Sequence, residues 1–378
     1  MLHFEPEEFD QRMARTREAM AKRGLDVLLL FAPESQYWLT GYDTFGYCFF
    51  QCLVVSDREP VLLTRSADLR QAELTSTIKD IRIWRDQADA DPPQDLAKLL
   101  KELNLSEKRI GWETKTQGLV HAHGARLAEL LPNLVDTSDI MGKLRLIKSA
   151  REVAYTRKAA ELGDAAWDAA VARATPGVSE SDILADMHHA IFSGGGDYPA
   201  NEFIIGSGDH ALMCRFQVGR RVLDTNDQLN LEWAGTYKHY HSALFRTLVI
   251  GEPRPQHISM HAAVREALEA CEERLKPGNT MGEVFAAHAE GLDRAGYGEH
   301  RLNACGYSLG PRFSPSWMED QMFYENAPTV AEPDMVFFLH MILMDSDTQT
   351  AMCLGRTSLV TETGSEPLSR LPLEMSRV

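Results

Sequence analysis

The chain has 378 residues, a length that favours two domains over one. Hydrophobic residues make up 44% of the sequence and charged residues 25%, a balance that excludes a disordered or fibrous chain. The net charge of -16 argues against binding to nucleic acid or to an anionic membrane surface.

Strand and helix patterns alternate through the N-terminal part of the chain. The spacing of Phe9, Met13 and Met20 predicts a helix over residues 7–23. The run "LDVLLLFA" that follows is continuously apolar, which is typical of a strand buried on both faces. Four more short strands and two more helices follow it. This alternation predicts a small α/β domain over residues 1–145.

A long amphipathic helix opens the second half of the sequence. Ser149 is its predicted N-cap, and Glu152 three residues later completes a capping box. The predicted domain boundary therefore lies near residue 145, and the second domain spans residues 146–378. After a second helix, strand patterns dominate residues 202–248. Two further helices and a strand-rich C-terminal part complete the predicted domain.

The compartment is predicted from the cysteines and the N-terminus. The six cysteines are scattered and form no CxxC pair, which predicts free, buried thiols in a cytoplasmic protein. The N-terminus lacks the apolar core of a signal peptide, and the sequence has no run of about 18 apolar residues. We therefore expect a cytoplasmic protein with no membrane span.

The stretch "LNLEWAGTYKHYHSALFRT" at 229–247 concentrates polar residues that can do chemistry. Two strand-like runs flank an Ala-Gly turn, so a hairpin is predicted. Because side chains alternate between the faces of a strand, Tyr237, His239 and His241 are predicted to share one face. Glu232 lies on the other strand of this predicted hairpin.

Four segments together carry a family resemblance: "LRLIKSAREV", this hairpin, "GYSLG" and "AEPDMVFFLHM". Their order and spacing resemble the creatinase, aminopeptidase P and prolidase superfamily. The resemblance implies an α+β protein with a C-terminal pita-bread domain, in which helices cover a curved antiparallel sheet and the active site lies in its concave face. It also implies a smaller N-terminal α/β domain and a homodimer.

Metal-dependent members of this superfamily hold two metal ions with two aspartates, one histidine and two glutamates. By the resemblance, these positions fall in chain order on Glu232, Ala243, Tyr307, His340 and either Gly355 or Arg356. A two-metal site needs several carboxylates to hold and bridge the ions. We therefore expect no such metal site and no cofactor.

Loss of the metal ligands points towards the ectoine hydrolase-like and creatinase-like members of the superfamily. The resemblance implies a metal-independent hydrolase that cleaves a non-peptide carbon–nitrogen bond in a small amidine, guanidino or amide compound. An imidazole paired with a carboxylate can take a proton from water and return it to the leaving nitrogen. The predicted catalytic residues are therefore Glu232, His239, His241 and His340.

Three further residues are predicted to bind the substrate. Arg215 lies near the position of the catalytic histidine in creatinase-like members, and its guanidinium suits a substrate carboxylate. Tyr307 is predicted to hydrogen-bond the substrate or a developing oxyanion. Tyr237 is predicted to line the same pocket from the hairpin.

Two other functions stay open at the level of the sequence. One is a metal-dependent Xaa-Pro dipeptidase, aminopeptidase or lyase whose rearranged site uses Glu232 and the three histidines. Retained activity after exhaustive chelation would exclude it. The other is a non-catalytic binding protein on the same fold, for which a strongly basic or apolar surface patch would be the signal.

Overall fold

The structure is a computed structural model that describes residues 2–215 and 219–378. The chain divides into two compact units, Met1–Arg145 and Leu146–Val378. No helix in the described part of the chain has both the length and the apolar character that crossing a membrane requires.

The first unit alternates helices and strands. In chain order its elements are α1 (Pro6–Lys22), β1 (Val27–Leu30), α2 (Pro33–Thr40), β2 (Cys52–Val55), β3 (Val61–Arg65), α3 (Leu69–Thr75), β4 (Asp80–Trp84), α4 (Pro92–Glu102), β5 (Ile110–Trp112), α5 (His121–Leu130), β6 (Leu134–Asp136) and α6 (Ser138–Leu146). The six strands form one sheet in the order β4-β3-β2-β1-β5-β6. Strand β1 pairs antiparallel with β2 and parallel with β5, so the sheet is mixed.

Strand β1 shows why a continuous apolar run forms the centre of this sheet. Val27 and Leu29 belong to one buried cluster, whereas Leu28 and Leu30 belong to a second cluster. Alternate side chains therefore enter two cores on opposite faces of the sheet. The prediction of a strand buried on both faces is confirmed.

The second unit is built on an eight-stranded sheet. In chain order its elements are α7 (Ala150–Arg173), α8 (Glu180–Ser193), β7 (Ile204–Ser207), β8 (Asp227–Tyr237), β9 (Tyr240–Ile250), α9 (Pro255–Arg274), α10 (Met281–Arg294), β10 (Gly306–Ser308), β11 (Val336–Asp345), β12 (Thr350–Val360), β13 (Ser365–Pro367) and β14 (Ser376–Arg377). The main strand order is β10-β11-β12-β9-β8-β7, with β13 paired to β12 and β14 to β9.

The predicted capping box starts helix α7. The Ser149 hydroxyl accepts a hydrogen bond from the Glu152 backbone N–H at 3.2 Å, and the Glu152 carboxylate accepts one from the Ser149 N–H at 2.9 Å. Two backbone donors that the first helical turn leaves unpaired are thereby satisfied. This prediction is confirmed.

Helix α7 packs against one face of the hairpin formed by β8 and β9. The Trp233 indole stacks on Trp167 with ring centroids 5.3 Å apart and donates a hydrogen bond to the Gly163 carbonyl at 2.8 Å. A Cβ on Gly235 would lie 1.9 Å from the Ala159 carbonyl oxygen. Gly235 therefore serves a close approach between helix and strand.

Replacing Gly235 by alanine should lower the free energy of unfolding by about 1–3 kcal/mol, because the added methyl group forces α7 away from the sheet. Gly364→Ala is the matched control, since a Cβ at Gly364 meets no atom within 4 Å. Urea unfolding of both variants measures the difference. Equal stability of the two variants would contradict this account of the packing.

The opposite face of the sheet is concave. Strand β10 lies at one edge of the strand order and β8 lies four strands further along it. The Tyr307 hydroxyl on β10 nevertheless lies 3.3 Å from the Glu232 carboxylate on β8. A flat sheet would separate strands four places apart by about 19 Å. The sheet is therefore strongly curved, with α7, α9 and α10 on its outer face.

The six cysteine thiols are free. Four of them are buried, whereas Cys214 is partly buried and Cys48 is exposed. The prediction of free thiols is confirmed, but the prediction that all are buried is wrong for Cys48. Cys48 ends a short 3-10 helix, Gly46–Cys48, before strand β2 begins.

Candidate active site

The hairpin turn differs from its prediction. Strands β8 and β9 are joined by Lys238 and His239, whose φ angles are 50° and 65°. Two consecutive residues with positive φ are typical of the two-residue turns that match the twist of paired strands. The predicted Ala-Gly turn is wrong, because Ala234 and Gly235 continue strand β8 to its end at Tyr237.

The register of the hairpin determines which side chains face the concave surface. Glu232 pairs with Phe245, and Thr236 pairs with His241. Residues directly opposite each other in an antiparallel pair share a face, so Glu232 and His241 lie on the same face. They are four residues apart along the strand direction, a separation of about 13 Å. Glu232 and His241 therefore occupy separate parts of the concave face.

One row of paired residues crosses the centre of the sheet. Glu232 on β8 is opposite Phe245 on β9, which is opposite Gly355 on β12, which is opposite His340 on β11. The two polar residues of this row, Glu232 and His340, occupy positions where the family places metal ligands. The curvature of the sheet brings Tyr307 close to both of them.

Glu232 is half-buried, and its carboxylate accepts a hydrogen bond from the Tyr307 hydroxyl at 3.3 Å. The Tyr307 oxygen in turn accepts a hydrogen bond from the Trp317 indole N–H at 2.8 Å. Burial disfavours the carboxylate and raises the pKa of Glu232 to about 7, although the Tyr307 hydrogen bond and the charge of Arg215 oppose this rise. Glu232 can therefore exist in either protonation state near neutral pH.

His340 also lies beside Tyr307, with ring centroids 5.7 Å apart. Burial lowers the pKa of His340 to about 4, so the imidazole is neutral near pH 7. Its Nδ1 atom is buried and has no hydrogen-bond partner among the described residues. A buried nitrogen without a partner is costly, which marks this atom as a point where a bound molecule or water would be held.

Arg215 is exposed and lies in a turn. Its positive charge counters the burial that raises the pKa of Glu232, and it adds to the burial that lowers the pKa of His340. The same charge acts on Tyr307. The guanidinium therefore belongs to the electrostatic surroundings of the Glu232 site.

His241 has a different environment from the one predicted. Its Nε2 atom accepts a hydrogen bond from the Ala200 backbone N–H at 2.9 Å, and its Nδ1 atom lies 3.5 Å from the Gly310 carbonyl oxygen. Burial lowers the pKa of His241 to about 3, so the ring is neutral. Its acceptor nitrogen is already used by the backbone. The structure therefore gives His241 a role in holding loops, and the predicted pairing with Glu232 is wrong.

Replacing His241 by phenylalanine should lower the free energy of unfolding by about 1–3 kcal/mol, because the buried Ala200 N–H loses its acceptor. The folded-state pKa of about 3 lies below the ordinary value of 6.5, so the contribution of His241 is present above pH 6.5 and is lost as pH falls. The difference between wild type and variant should therefore be larger at pH 7.5 than at pH 5. Urea unfolding at both pH values tests this.

His189→Phe is the control for this variant, since His189 is exposed on α8. It should change stability by less than about 0.5 kcal/mol. A His241→Phe variant as stable as this control would show that the hydrogen bond to Ala200 contributes nothing.

The two remaining residues of the predicted hairpin site also lie elsewhere. His239 is in the turn, and its ring stacks on Phe313 with centroids 4.1 Å apart. Tyr237 is an odd number of residues from Glu232 on β8, so it faces the helices, where its ring contacts Tyr155 at 5.6 Å. The predicted grouping of His239 and Tyr237 with Glu232 is wrong, because it rested on a misplaced turn.

The residues at the family's metal positions do not fit a two-metal site. The side chain of Ala243 has no atom that can bind a metal ion. Gly355 has no side chain, and a Cβ there would be crowded, because it would lie 2.8 Å from the Leu339 carbonyl oxygen and 3.0 Å from the His340 Cβ. Arg356 faces the helices, where its guanidinium forms two hydrogen bonds to Glu272 at 2.7 Å. In the described ranges, no group of three or more histidine, cysteine, aspartate or glutamate side chains could hold a metal ion.

Sequence reasoning did not identify Trp317 and Asn201 as parts of the site. Trp317 donates to Tyr307, and the Trp317 backbone N–H donates to the Asn201 side chain at 3.2 Å. Trp317 lies ten residues after Tyr307, within the segment "GYSLGPRFSPSW". The closeness of Trp317 and Tyr307 in the sequence was the available signal. Only the structure shows that the loop between them places the Trp317 indole against the Tyr307 hydroxyl.

Comparison with known proteins defines the class. The sequence pattern of metallopeptidase family M24 matches residues 154–362, and that of the creatinase/prolidase N-terminal domain matches residues 12–147. The chain belongs to metallopeptidase family M24, within the creatinase and aminopeptidase P superfamily of hydrolases. Its fold is the pita-bread fold with a creatinase-type N-terminal domain, as the sequence predicted.

Two relatives and one solved structure illustrate the similarity. The chain is 31% identical to the uncharacterized hydrolase/peptidase y4tM of Sinorhizobium fredii, covering 99% of this chain and 98% of the relative. It is 28% identical to the ectoine hydrolase of Halomonas elongata, with the same coverage of both chains. An Xaa-Pro dipeptidase from Bacillus anthracis shares the fold with a TM-score of 0.86 at 23% identity, covering 98% of this chain and 100% of that structure.

Proposed function

We propose that this protein hydrolyses a non-peptide carbon–nitrogen bond in a small amidine, guanidino or amide compound and that it does so without a metal ion. The observation that carries the proposal is the environment of Glu232. A half-buried carboxyl group with a pKa of about 7 lies at the first metal-ligand position of the family, with a tyrosine hydroxyl donating to it. A group with this pKa suits proton transfer near neutral pH.

The proposed reaction uses Glu232 for both proton transfers. The carboxylate takes a proton from water as the water oxygen forms a bond to the amidine carbon. The same proton then passes to the departing nitrogen as the carbon–nitrogen bond breaks, which returns Glu232 to the carboxylate form. The charge of Glu232 also favours a cationic amidinium over a neutral peptide.

Two further residues are proposed to position the substrate. The unpartnered Nδ1 atom of His340 supplies a hydrogen bond to the substrate or the attacking water. The Arg215 guanidinium supplies a partner for a substrate carboxylate. Together with Glu232, these groups favour a small zwitterion that carries an amidinium or guanidinium at one end and a carboxylate at the other.

The similarity to the ectoine hydrolase of Halomonas elongata supports this reading, since that relative covers almost the whole chain. The Xaa-Pro dipeptidase fold supports the architecture alone. The metal-dependent alternative also loses two of its ligand candidates, because the Nε2 atom of His241 bonds Ala200 and the ring of His239 stacks on Phe313. Assembly as a homodimer in the cytoplasm stays a prediction.

A substrate panel tests the proposal. Purified protein is incubated with ectoine, creatine, analogues of both that lack the carboxylate, and Xaa-Pro dipeptides, and the products are identified by mass spectrometry. Hydrolysis of a carboxylate-bearing amidine or guanidino compound, and weaker hydrolysis of its analogue, is the expected result. Cleavage of the dipeptides alone would contradict the proposal. Binding without turnover of any compound would favour the non-catalytic alternative.

A further inference from the structure

We propose that Trp317 is a positioning residue that fixes the Tyr307 hydroxyl as a hydrogen-bond donor to Glu232 and thereby stabilises the carboxylate form of Glu232 relative to the protonated form. This inference rests on the proposed function for its catalytic meaning. The hydrogen bonds between Trp317, Tyr307 and Glu232 do not depend on that function.

The direction of the hydrogen bonds follows from the chemistry of the three groups. An indole N–H can only donate, so the Tyr307 oxygen must accept the 2.8 Å hydrogen bond from Trp317. Among the described residues, the other hydrogen-bond partner of the phenol is the Glu232 carboxylate at 3.3 Å. With one lone pair of the oxygen used by the indole, the hydroxyl proton is directed at Glu232.

The protonation state of Tyr307 supports this direction. Burial and the charge of Glu232 raise the pKa of the phenol well above its usual value, so Tyr307 keeps its proton throughout the neutral range. Accepting a hydrogen bond also makes a hydroxyl a better donor, because successive hydrogen bonds polarise one another. A donor aimed at Glu232 stabilises the carboxylate against the cost of burial.

Trp317 is itself held in place. It is almost completely buried, and its backbone N–H donates to the Asn201 side chain at 3.2 Å. The neighbouring Ala200 N–H donates to His241. A continuous set of contacts therefore runs from His241 through residues 200–201 to Trp317 and the phenol.

Other titratable groups near Glu232 are accounted for. The charge of Arg215 counters the rise in the pKa of Glu232. The charge of Glu232 in turn acts on the thiols of Cys214 and Cys353. The pKa of both thiols is raised by burial, so the thiols are neutral near pH 7. His340 is neutral there as well. A change at Trp317 leaves all of these groups in place.

The test measures the ionisation of Glu232 directly and needs no substrate. The infrared carboxyl band of Glu232 is isolated as the difference between each protein and its own Glu232→Gln counterpart, and is followed as a function of pH. In Trp317→Phe, the titration midpoint of Glu232 should rise by about one pH unit, because the hydroxyl is no longer fixed as a donor. Tyr307→Phe should raise the midpoint at least as much.

A double variant separates positioning from a general loss of packing. In the Tyr307→Phe background, Trp317→Phe should cause no further shift, since its effect passes through the hydroxyl. Trp84→Phe is the matched control, because Trp84 also donates a buried indole hydrogen bond, to the Phe50 carbonyl at 2.8 Å in the first unit. It should leave the midpoint unchanged.

A second replacement guards against misfolding of Trp317→Phe. Incorporation of benzothienylalanine at position 317 keeps the ring system but replaces the N–H by sulfur, so only the hydrogen bond is lost. An unchanged Glu232 midpoint in this protein would overturn the inference. A raised midpoint would support it even if the substrate panel gave no turnover, so the two proposals can fail separately.

Discussion

Replacing Glu232 by glutamine should lower kcat for an amidine substrate by roughly 10²- to 10⁴-fold, the usual contribution of a general acid–base group. Glutamine keeps the size of the side chain and can still accept the Tyr307 hydrogen bond through its amide oxygen. It cannot take a proton from water. The measurement is kcat for the first substrate identified in the panel, with Glu362→Gln as the control, since Glu362 is exposed and the change in net charge is the same.

The same variant should be more stable than the wild type above pH 7. The folded-state pKa of Glu232, about 7, lies above the ordinary value of 4.5, so ionisation in the folded protein costs free energy as pH rises through this range. Glutamine carries no such cost. Loss of activity together with a gain of stability would identify Glu232 as a functional residue rather than a structural one. Retained turnover would refute the proposed role.

The second large effect is the dependence of activity on pH. Because Glu232 must be ionised to accept a proton, kcat/KM should fall about tenfold for each pH unit below about 7 and be independent of pH just above it. This predicts about a hundredfold lower kcat/KM at pH 5 than on the plateau. An amidine substrate remains cationic throughout this range and contributes no change of its own.

A pH series of kcat/KM, with folding checked at each value, gives the measurement. His340 has a pKa of about 4, so it should contribute to the profile only at the acidic end. If kcat/KM fell only below about pH 4 to 5, Glu232 would be behaving as an ordinary exposed carboxyl group. That outcome would remove the basis for assigning it the proton transfers.

Much of the fold could be predicted because it depends on local pattern. The apolar run that forms β1 admits a strand buried on both faces, and Ser149 with Glu152 forms the predicted capping box. The four family segments predicted the pita-bread architecture, because their order and spacing along the chain resemble those of the family. Glu232 and His340 were found the same way, because each occupies a position where the family keeps a ligand.

The errors came from interactions that are distant in sequence. Gly235 resembled a turn residue, but it is a glycine because α7 approaches the strand there, leaving 1.9 Å between an added Cβ and the Ala159 oxygen. The true turn at Lys238 and His239 contains no glycine. Because the turn lies after Tyr237 and includes His239, both residues lie outside the site. His241 could not be assigned either, since its partner is the N–H of Ala200 in another segment.

The most direct test of the central claim is to measure metal content and activity on the same protein sample. Untagged protein is analysed for transition metals, then dialysed exhaustively against a chelator and assayed with the carboxylate-bearing amidine from the panel. We predict no stoichiometric metal and full turnover after chelation, with turnover lost only in Glu232→Gln. One tightly bound metal ion per chain, and activity that disappears on chelation and returns with the metal, would contradict metal-independent hydrolysis at Glu232.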